Sequence, residues 1–382
     1  MPSRQVLTLK YRPQTFDELL IQDHVTRTLK RAIELNRLAN AYLFAGPRGV
    51  GKTTAARILA KSLNCLSFDR PTTTPCNRCS ACIEIAESRS MDVLEIDGAS
   101  ERKIDDIREL RENIRYTPIG LRFKVYIIDE VHMLTAEAFN ALLKTLEEPP
   151  SHAKFIFATT ESHRVPLTIV SRCQRFDFRK ALPAEIIDRL AWIAQKENIK
   201  VSQEALAAIA RHADGAIRDA ESILDQLWSY CPEGIEVKHV EEVLGLVPAG
   251  LFHEFVDLLI ANDAKGLVRF IDRLFEAGYD LSEFYAGLVE HFRDLLLFQV
   301  SGTAPGAGLL PDEEERLRKQ ARAFSRERLL SILDTLARNE ERAKRTSIPR
   351  VLLELLSLEL AGLAETKGVE KTSVDCSSAA PG

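Results

Sequence analysis

The segment GPRGVGKT, Gly46 to Thr53, has the residue types and the spacing needed to hold a chain of phosphates. It fits G-x4-G-K-[ST], with an apolar run (AYLFAG, from Ala41) before it and a helix-forming run (TTAARILAKSL) after it. Strand, loop and helix in that order are the context in which the motif is meaningful. Glycines let backbone N–H groups close around phosphate oxygens, and the helix N-terminus behind them adds its dipole. Lys52 supplies the charge that neutralises β- and γ-phosphates, and the hydroxyl of Thr53 suits Mg2+. Gly46, Pro47, Arg48, Gly49, Val50, Gly51, Lys52, Thr53 and Thr54 are therefore the candidate nucleotide loop. A mere Gly-rich turn carrying a lysine would not need the flanking strand and helix.

A second set of groups fits the same chemistry. KVYIIDEVHML is an apolar run ending in Asp129 and Glu130. At the carboxyl end of a parallel strand such acids face the crevice that a phosphate loop also faces. Asp129 would hold Mg2+ through water, and Glu130 would orient and polarise an attacking water, which makes the chemistry NTP hydrolysis. The plainer reading has both acids capping a helix near Thr135, but it leaves the apolar strand unexplained. A third apolar run, KFIFAT, ends beside Thr159 and Thr160, whose hydroxyls could reach a γ-phosphate or the lytic water.

Cys65, Cys76, Cys79 and Cys82 follow C-x10-C-x2-C-x2-C. Four thiolates at this spacing can enclose a tetrahedral ion, and zinc suits a reducing compartment in which disulfides do not persist. An iron–sulfur cluster is the alternative, although the C-x3-C-P continuation of ferredoxins is absent. Cys173, Cys231 and Cys376 are scattered and read as structural or incidental.

These groups need a scaffold, and the chain is long enough for one. Its 382 residues suggest two or three domains. With 45% hydrophobic and 28% charged residues it is of ordinary globular composition, which excludes wholesale disorder. The net charge of −5 excludes a broadly basic surface, so any nucleic-acid contact must be local or shared with partners. The N-terminus has no signal-peptide pattern and no apolar stretch has membrane-spanning length, so a cytoplasmic protein without a membrane is expected. Up to about residue 180, short apolar runs alternate with amphipathic ones. AYLFAG, DVLEID (from Asp92), KVYIID (from Lys124), KFIFAT (from Lys154) and QRFDF (from Gln174) predict a parallel sheet covered on both faces. Phe139, Leu142, Leu143 and Leu146 predict a helix stopped by Pro149 and Pro150. Residues 181–246 read as a small helical domain, with Ile186, Leu190 and Ile193 on one face and Leu206, Ile209 and Ala210 on another. Residues 247–365 are again helical, and 366–382 read as a disordered tail.

Together, KYRPQTFDELLIQDHV, NAYLFAGPRGVGKTT, FKVYIIDEVHMLTAEAFNALLKTLEEPP, FIFATTE and IVSRCQRFDF resemble the clamp-loader branch of the AAA+ ATPases, specifically from Lys10 to about Gly245. The resemblance implies an α/β AAA+ domain over 1–180, with strand order 5-1-4-3-2 and a zinc module at 65–82. It further implies a helical lid at 181–246 and a helical collar at 247–365 that joins five subunits into a ring. It implies ATP, Mg2+ and Zn2+ as cofactors, and as partners the other ring subunits, a sliding clamp and primed DNA. Contact with the replicative polymerase core is implied less directly, because the longer C-terminal extension of some members is not seen. The implied activity is that of a motor subunit that hydrolyses ATP to open the clamp and load it on DNA. The alternatives are a non-hydrolysing, stator-like subunit of such a ring or another AAA+ DNA-remodelling ATPase. By the same resemblance Tyr11, Arg12 and Pro13 border the adenine and Thr160 senses the γ-phosphate. Arg218, in GAIRDAES, reaches that phosphate from the lid, and Arg172, in Ser171–Cys173, acts in trans on a neighbour's ATP. Arg218 also falls in the first turn of an expected helix, where the dipole disfavours a cation, as if placed there for another purpose. In ERKIDDIRELRENIR, a helix burying Ile104, Ile107, Leu110 and Ile114 leaves Lys103 and Arg108 free, and the family places both toward DNA; a solvated, salt-bridged face is the plainer reading.

Overall fold

A computed structural model describes residues 5–100, 113–114, 116–302 and 311–362. The chain forms two compact units, Met1–Ile235 and Glu236–Gly382. The first begins with a short helix α1 (Leu7–Lys10) and helix α2 (Asp23–Glu34). Strands β1 (Ala41–Ala45), β2 (Val93–Asp97), β3 (Lys124–Asp129), β4 (Ala153–Thr159) and β5 (Gln174–Asp177) follow in chain order. All pairings are parallel and the order is β2-β3-β4-β1-β5, as the resemblance implied.

The apolar runs become strands because both sheet faces are covered. In β1 all five residues are buried. Tyr42 and Phe44 join a core on one face with Ala55, Ile58 and Leu59 of helix α3 (Lys52–Asn64), while Ala41 and Leu43 join the opposite core with Phe139 and Leu142 of helix α5 (Ala136–Glu147). Helix α4 (Ser80–Ala86) lies between α3 and β2 in the chain. Helix α5 starts where the sequence indicated, with Thr135 Oγ1 accepting from the backbone N–H of Ala138. The order of strands decides the function. β4 lies between β1 and β3, so the chain after Ala45, the Asp129–Glu130 pair and the Thr159–Thr160 pair all emerge at one edge.

After the short helix α6 (Leu167–Val170) and β5 come three helices, α7 (Pro183–Glu197), α8 (Gln203–His212) and α9 (Ile217–Tyr230). The predicted faces are the buried ones: Ile186, Leu190 and Ile193 on α7, and Leu206, Ile209 and Ala210 on α8. The described residues of the second unit form helices: α10 (Val237–Leu244), α11 (Ala249–Ile260), α12 (Ala264–Glu276), α13 (Leu281–Ser301), α14 (Pro311–Ala323), α15 (Arg326–Arg345) and α16 (Pro349–Gly362). Its core centres on Phe255, Phe270, Phe284 and Phe292. Among the described residues, no single helix is long and apolar enough to cross a membrane.

Candidate nucleotide cleft and cysteine cluster

Gly51 is the N-cap of α3 at φ +99°, a backbone state open to glycine, and it turns the loop into the helix. Lys52 then curls back over the loop, its Nζ donating to the carbonyls of Gly46 at 2.8 Å and Pro47 at 2.7 Å. The side chain is buried, which lowers its pKa, and the charges of Glu130 and Asp129 oppose that. One residue on, the Thr53 hydroxyl donates to Asp129 Oδ2 at 2.6 Å, although the two are 76 residues apart. A hydroxyl and a carboxylate thus converge at the loop's mouth, the donor set a hard divalent cation prefers.

Glu130 is held differently. Its backbone is left-handed at φ +44°, uncommon for a residue with a side chain. This kink ends β3 and sends the carboxylate toward β4, where Oε2 accepts from Thr160 Oγ1 at 2.9 Å and from Thr160 N–H at 3.3 Å. The buried imidazole of His132 stands behind it, Nδ1 3.0 Å from Thr159 Oγ1 and 3.4 Å from Glu130 Oε2, with Nε2 3.3 Å from Glu161.

The rest of the cleft comes from the N-terminal segment and the lid. Arg12, Pro13, Leu19 and Leu20 line it with the loop, and Arg189, Ile217, Arg218 and Glu221 line it from above. Arg12 Nε donates to Thr54 Oγ1 at 3.2 Å, and burial, aided by the charge of Arg57, lowers Arg12 to about 10. Tyr11 does not share that wall. Its ring sits edge-on to Trp192 at 5.3 Å, and its hydroxyl donates to Glu197 at 2.5 Å. Helix α9 meets the loop end-on: the Arg218 N–H donates to the Gly49 carbonyl at 3.4 Å. Gly49 has φ +76°, and a Cβ there would stand 2.7 Å from the Ala216 Cβ. Arg218 lies in the first turn of α9, as the sequence indicated, exposed and without an ion pair to a described residue. Arg172 lies away from this cleft, donating to Glu147 Oε1 at 2.6 Å and to the Thr168 carbonyl at 2.7 Å. Lys103 and Arg108 lie outside the described residues.

Two cleft residues escaped sequence reasoning. Arg189 Nε donates to Glu221 Oε1 at 3.0 Å, and Arg189 Nη2 donates to the Tyr11 carbonyl at 2.7 Å. The pair is buried, and burial raises the Glu221 pKa against the pull of Arg189. The partners sit on α7 and α9, 32 residues apart, so no local spacing announces them.

The four cysteines gather as their spacing required. Cys65 caps the end of α3, Cys79 caps the start of α4, and the four Sγ atoms lie within 4.8 Å of one another. Backbone N–H groups of Cys76, Cys79 and Cys82 point at the sulfurs of Cys65, Cys76 and Cys79 at 3.3–3.5 Å. For Cys76, hydrogen bonds from Ser67 and from the backbone of Arg78 and Cys79 outweigh burial and bring it to about 5. Thiolates turned together and stabilised by N–H groups fit a tetrahedral S4 metal, zinc included.

Residues 21–181 match the family model "DNA polymerase III, delta subunit". Residues 185–233 match "DNA polymerase III clamp loader subunit, ATPase lid domain", and residues 235–373 match "DNA polymerase III subunits gamma and tau domain III". The gamma subunit of Buchnera aphidicola is 41% identical over 301 residues, which cover 79% of this chain and 82% of that protein. This chain belongs to the DNA polymerase III gamma/tau family. Within that family, the tau subunit of Bacillus subtilis is 38% identical over 376 residues, 98% of this chain and 66% of the relative. The tau subunit of Escherichia coli is 39% identical over 322 residues, 84% of this chain and 50% of the relative. The chain thus spans between half and two thirds of these two gamma/tau relatives. The lid model coincides with α7–α9, the helices that carry Arg189, Arg218 and Glu221.

Proposed function

We propose that the chain is the ATP-hydrolysing motor subunit of a bacterial clamp loader, which opens a sliding clamp and loads it on primed DNA for DNA polymerase III. The observation that carries the hydrolytic reading is the convergence of Lys52, the Thr53–Asp129 pair and the Glu130–Thr160 pair on one cleft. A non-hydrolysing subunit has no use for a carboxylate held against a threonine beside an intact phosphate loop.

In this reading the loop N–H groups and Lys52 bind the β- and γ-phosphates. Thr53 and Asp129 would hold Mg2+, which would supply positive charge against the phosphates. Glu130 leaves Thr160 to accept a proton-side contact from the attacking water, and Thr160, freed, donates toward the γ-phosphate. Arg12, Pro13 and the lid residues enclose the base and sugar. Arg218 approaches the phosphates from α9, whose N-terminus already touches the loop. Arg172, exposed beside α6 and close to the 83% exposed Leu167, serves the adjacent subunit's nucleotide across a subunit contact. Zinc on Cys65, Cys76, Cys79 and Cys82 staples the insertion between α3 and α4. Lys103 and Arg108 contribute DNA contacts inside the ring.

Two variants test the hydrolytic core together. Lys52→Ala should lose ATP binding in an equilibrium titration. Glu130→Gln should bind ATP at wild-type affinity and leave it unhydrolysed. Normal turnover by Glu130→Gln, or unchanged ATP affinity in Lys52→Ala, would overturn the assignment.

A further inference from the structure

Lys61 is 1% exposed, yet no carboxylate lies within ion-pair distance of it among the described residues. Its Nζ donates to three neutral oxygens, the Gln14 carbonyl, Gln14 Oε1 and Asn77 Oδ1, each at 2.8 Å. All three ammonium protons are used, so the hydrogen bonding is complete, while the exposed carboxylate of Glu18 acts on the charge only at a distance and forms no ion pair with it. A cation this deep needs negative charge nearby. The cysteine cluster supplies it: Asn77 lies between Cys76 and Cys79, and four thiolates on a divalent ion keep a net double negative charge.

The contacts of Lys61 run in two directions. Toward the cysteines, it holds the Asn77 turn, whose φ of +54° places the side-chain oxygen inward. Toward the nucleotide, it holds Gln14, whose Nε2 donates to the Arg12 carbonyl at 3.0 Å. Arg12 in turn donates to Thr54 on the phosphate loop and lines the cleft. The series Asn77, Lys61, Gln14, Arg12, Thr54 thus joins the cysteine module to the nucleotide wall without any residue that touches both.

We infer that Lys61 is a positioning residue that couples the metal module to nucleotide binding, so that the zinc insertion sets the posture of Arg12 rather than merely stapling itself. The inference rests on the nucleotide reading above. Coupling of two binding sites is reciprocal, so bound nucleotide must hold the metal as the metal holds the nucleotide wall.

Competition for zinc at equilibrium between the wild-type chain and a chromogenic chelator, with and without saturating ADP, tests this directly. A parallel titration with a fluorescent ADP analogue shows that the nucleotide is bound; if it is not, the nucleotide reading fails and not the coupling. ADP should raise zinc affinity roughly tenfold, the size expected when one hydrogen bond to a charged group transmits the effect. Asn77→Gly tolerates the positive φ and removes only the acceptor, so at full zinc content it should bind the analogue more weakly and lose the ADP effect on zinc. Asn77→Asp keeps the oxygen and should restore both. Gln14→Ala, remote from the cysteines, should weaken zinc binding. Equal zinc affinities with and without bound ADP would overturn the coupling, as would wild-type analogue affinity in zinc-replete Asn77→Gly or an unchanged zinc affinity in Gln14→Ala.

Discussion

Gly98 touches no phosphate and belongs to no motif, yet adding one methyl group there should slow hydrolysis. It follows β2, and its N–H donates to the Asp129 carbonyl at 2.8 Å. An alanine Cβ would stand 2.8 Å from the Glu130 carbonyl oxygen and 2.9 Å from that of Asp129. Both obstacles are backbone, and both belong to the residues whose side chains face the cleft. Moving from 2.8 Å to ordinary contact at 3.4 Å requires an opening of about 0.6 Å, which the end of β3 must absorb. Misplacing a reacting group by 1 Å costs about 100-fold, so 0.6 Å is worth roughly tenfold in turnover. The overpacking itself costs about 1–3 kcal/mol of stability. Lys52 and the loop follow β1, three strands from β2, but Asp129 also meets Thr53, so ADP affinity should fall by less than turnover. Steady-state turnover, ADP titration and thermal unfolding of Gly98→Ala, beside Gly120→Ala, separate these effects. Gly120 has no atom within 4 Å of the added Cβ and should behave as wild type. Wild-type turnover by a folded Gly98→Ala would refute the claim that backbone packing at the end of β3 sets the position of Glu130.

Further outcomes follow from other contacts. Glu221→Ala strands a buried guanidinium on Arg189 and should cost about 3–5 kcal/mol, much of it regained when Arg189→Met is added. The only tryptophans are Trp192 and Trp228, both on lid helices, so intrinsic fluorescence during denaturant unfolding reads the effect; an additive double variant would contradict it. Arg172→Ala should leave the chain's own ATP binding intact and lower hydrolysis at the neighbouring subunit. Rings mixed from Arg172→Ala and Lys52→Ala chains should regain partial turnover, and assembled rings that regain none would exclude action in trans.

Much of the sheet could be read in advance because a parallel strand buried on both faces leaves an almost unbroken apolar run. AYLFA, KVYII and KFIFA are such runs. The phosphate loop was equally plain, since its glycines and Lys52 act within eight consecutive residues. The cysteine cluster was plain because its ligands must lie close in sequence to close a knuckle. What stayed hidden depends on tertiary geometry. The left-handed kink at Glu130 sits where the end of β3 meets Gly98, and glutamate has no propensity that would announce it. Arg189 and Glu221 find each other only when α7 packs on α9. Tyr11 stands beside Arg12 and Pro13 in the sequence, but the contacts of its ring with Trp192 and of its hydroxyl with Glu197 are ones that no local spacing announces. Lys61 lies within the helix-forming run TTAARILAKSL with nothing local to mark it, and only its neighbours show that the position is buried.

Helix α9 abuts the phosphate loop through Ala216 and Gly49 and then extends for 14 residues, about 21 Å. A rigid rod pivoting at one end magnifies what happens there. Turning it by about 10° about the loop would carry its far end roughly 4 Å. The first compact unit ends at Ile235, five residues beyond the helix. Any tilt of α9 at Gly49 would therefore be multiplied along the helix, and the helix length sets the factor.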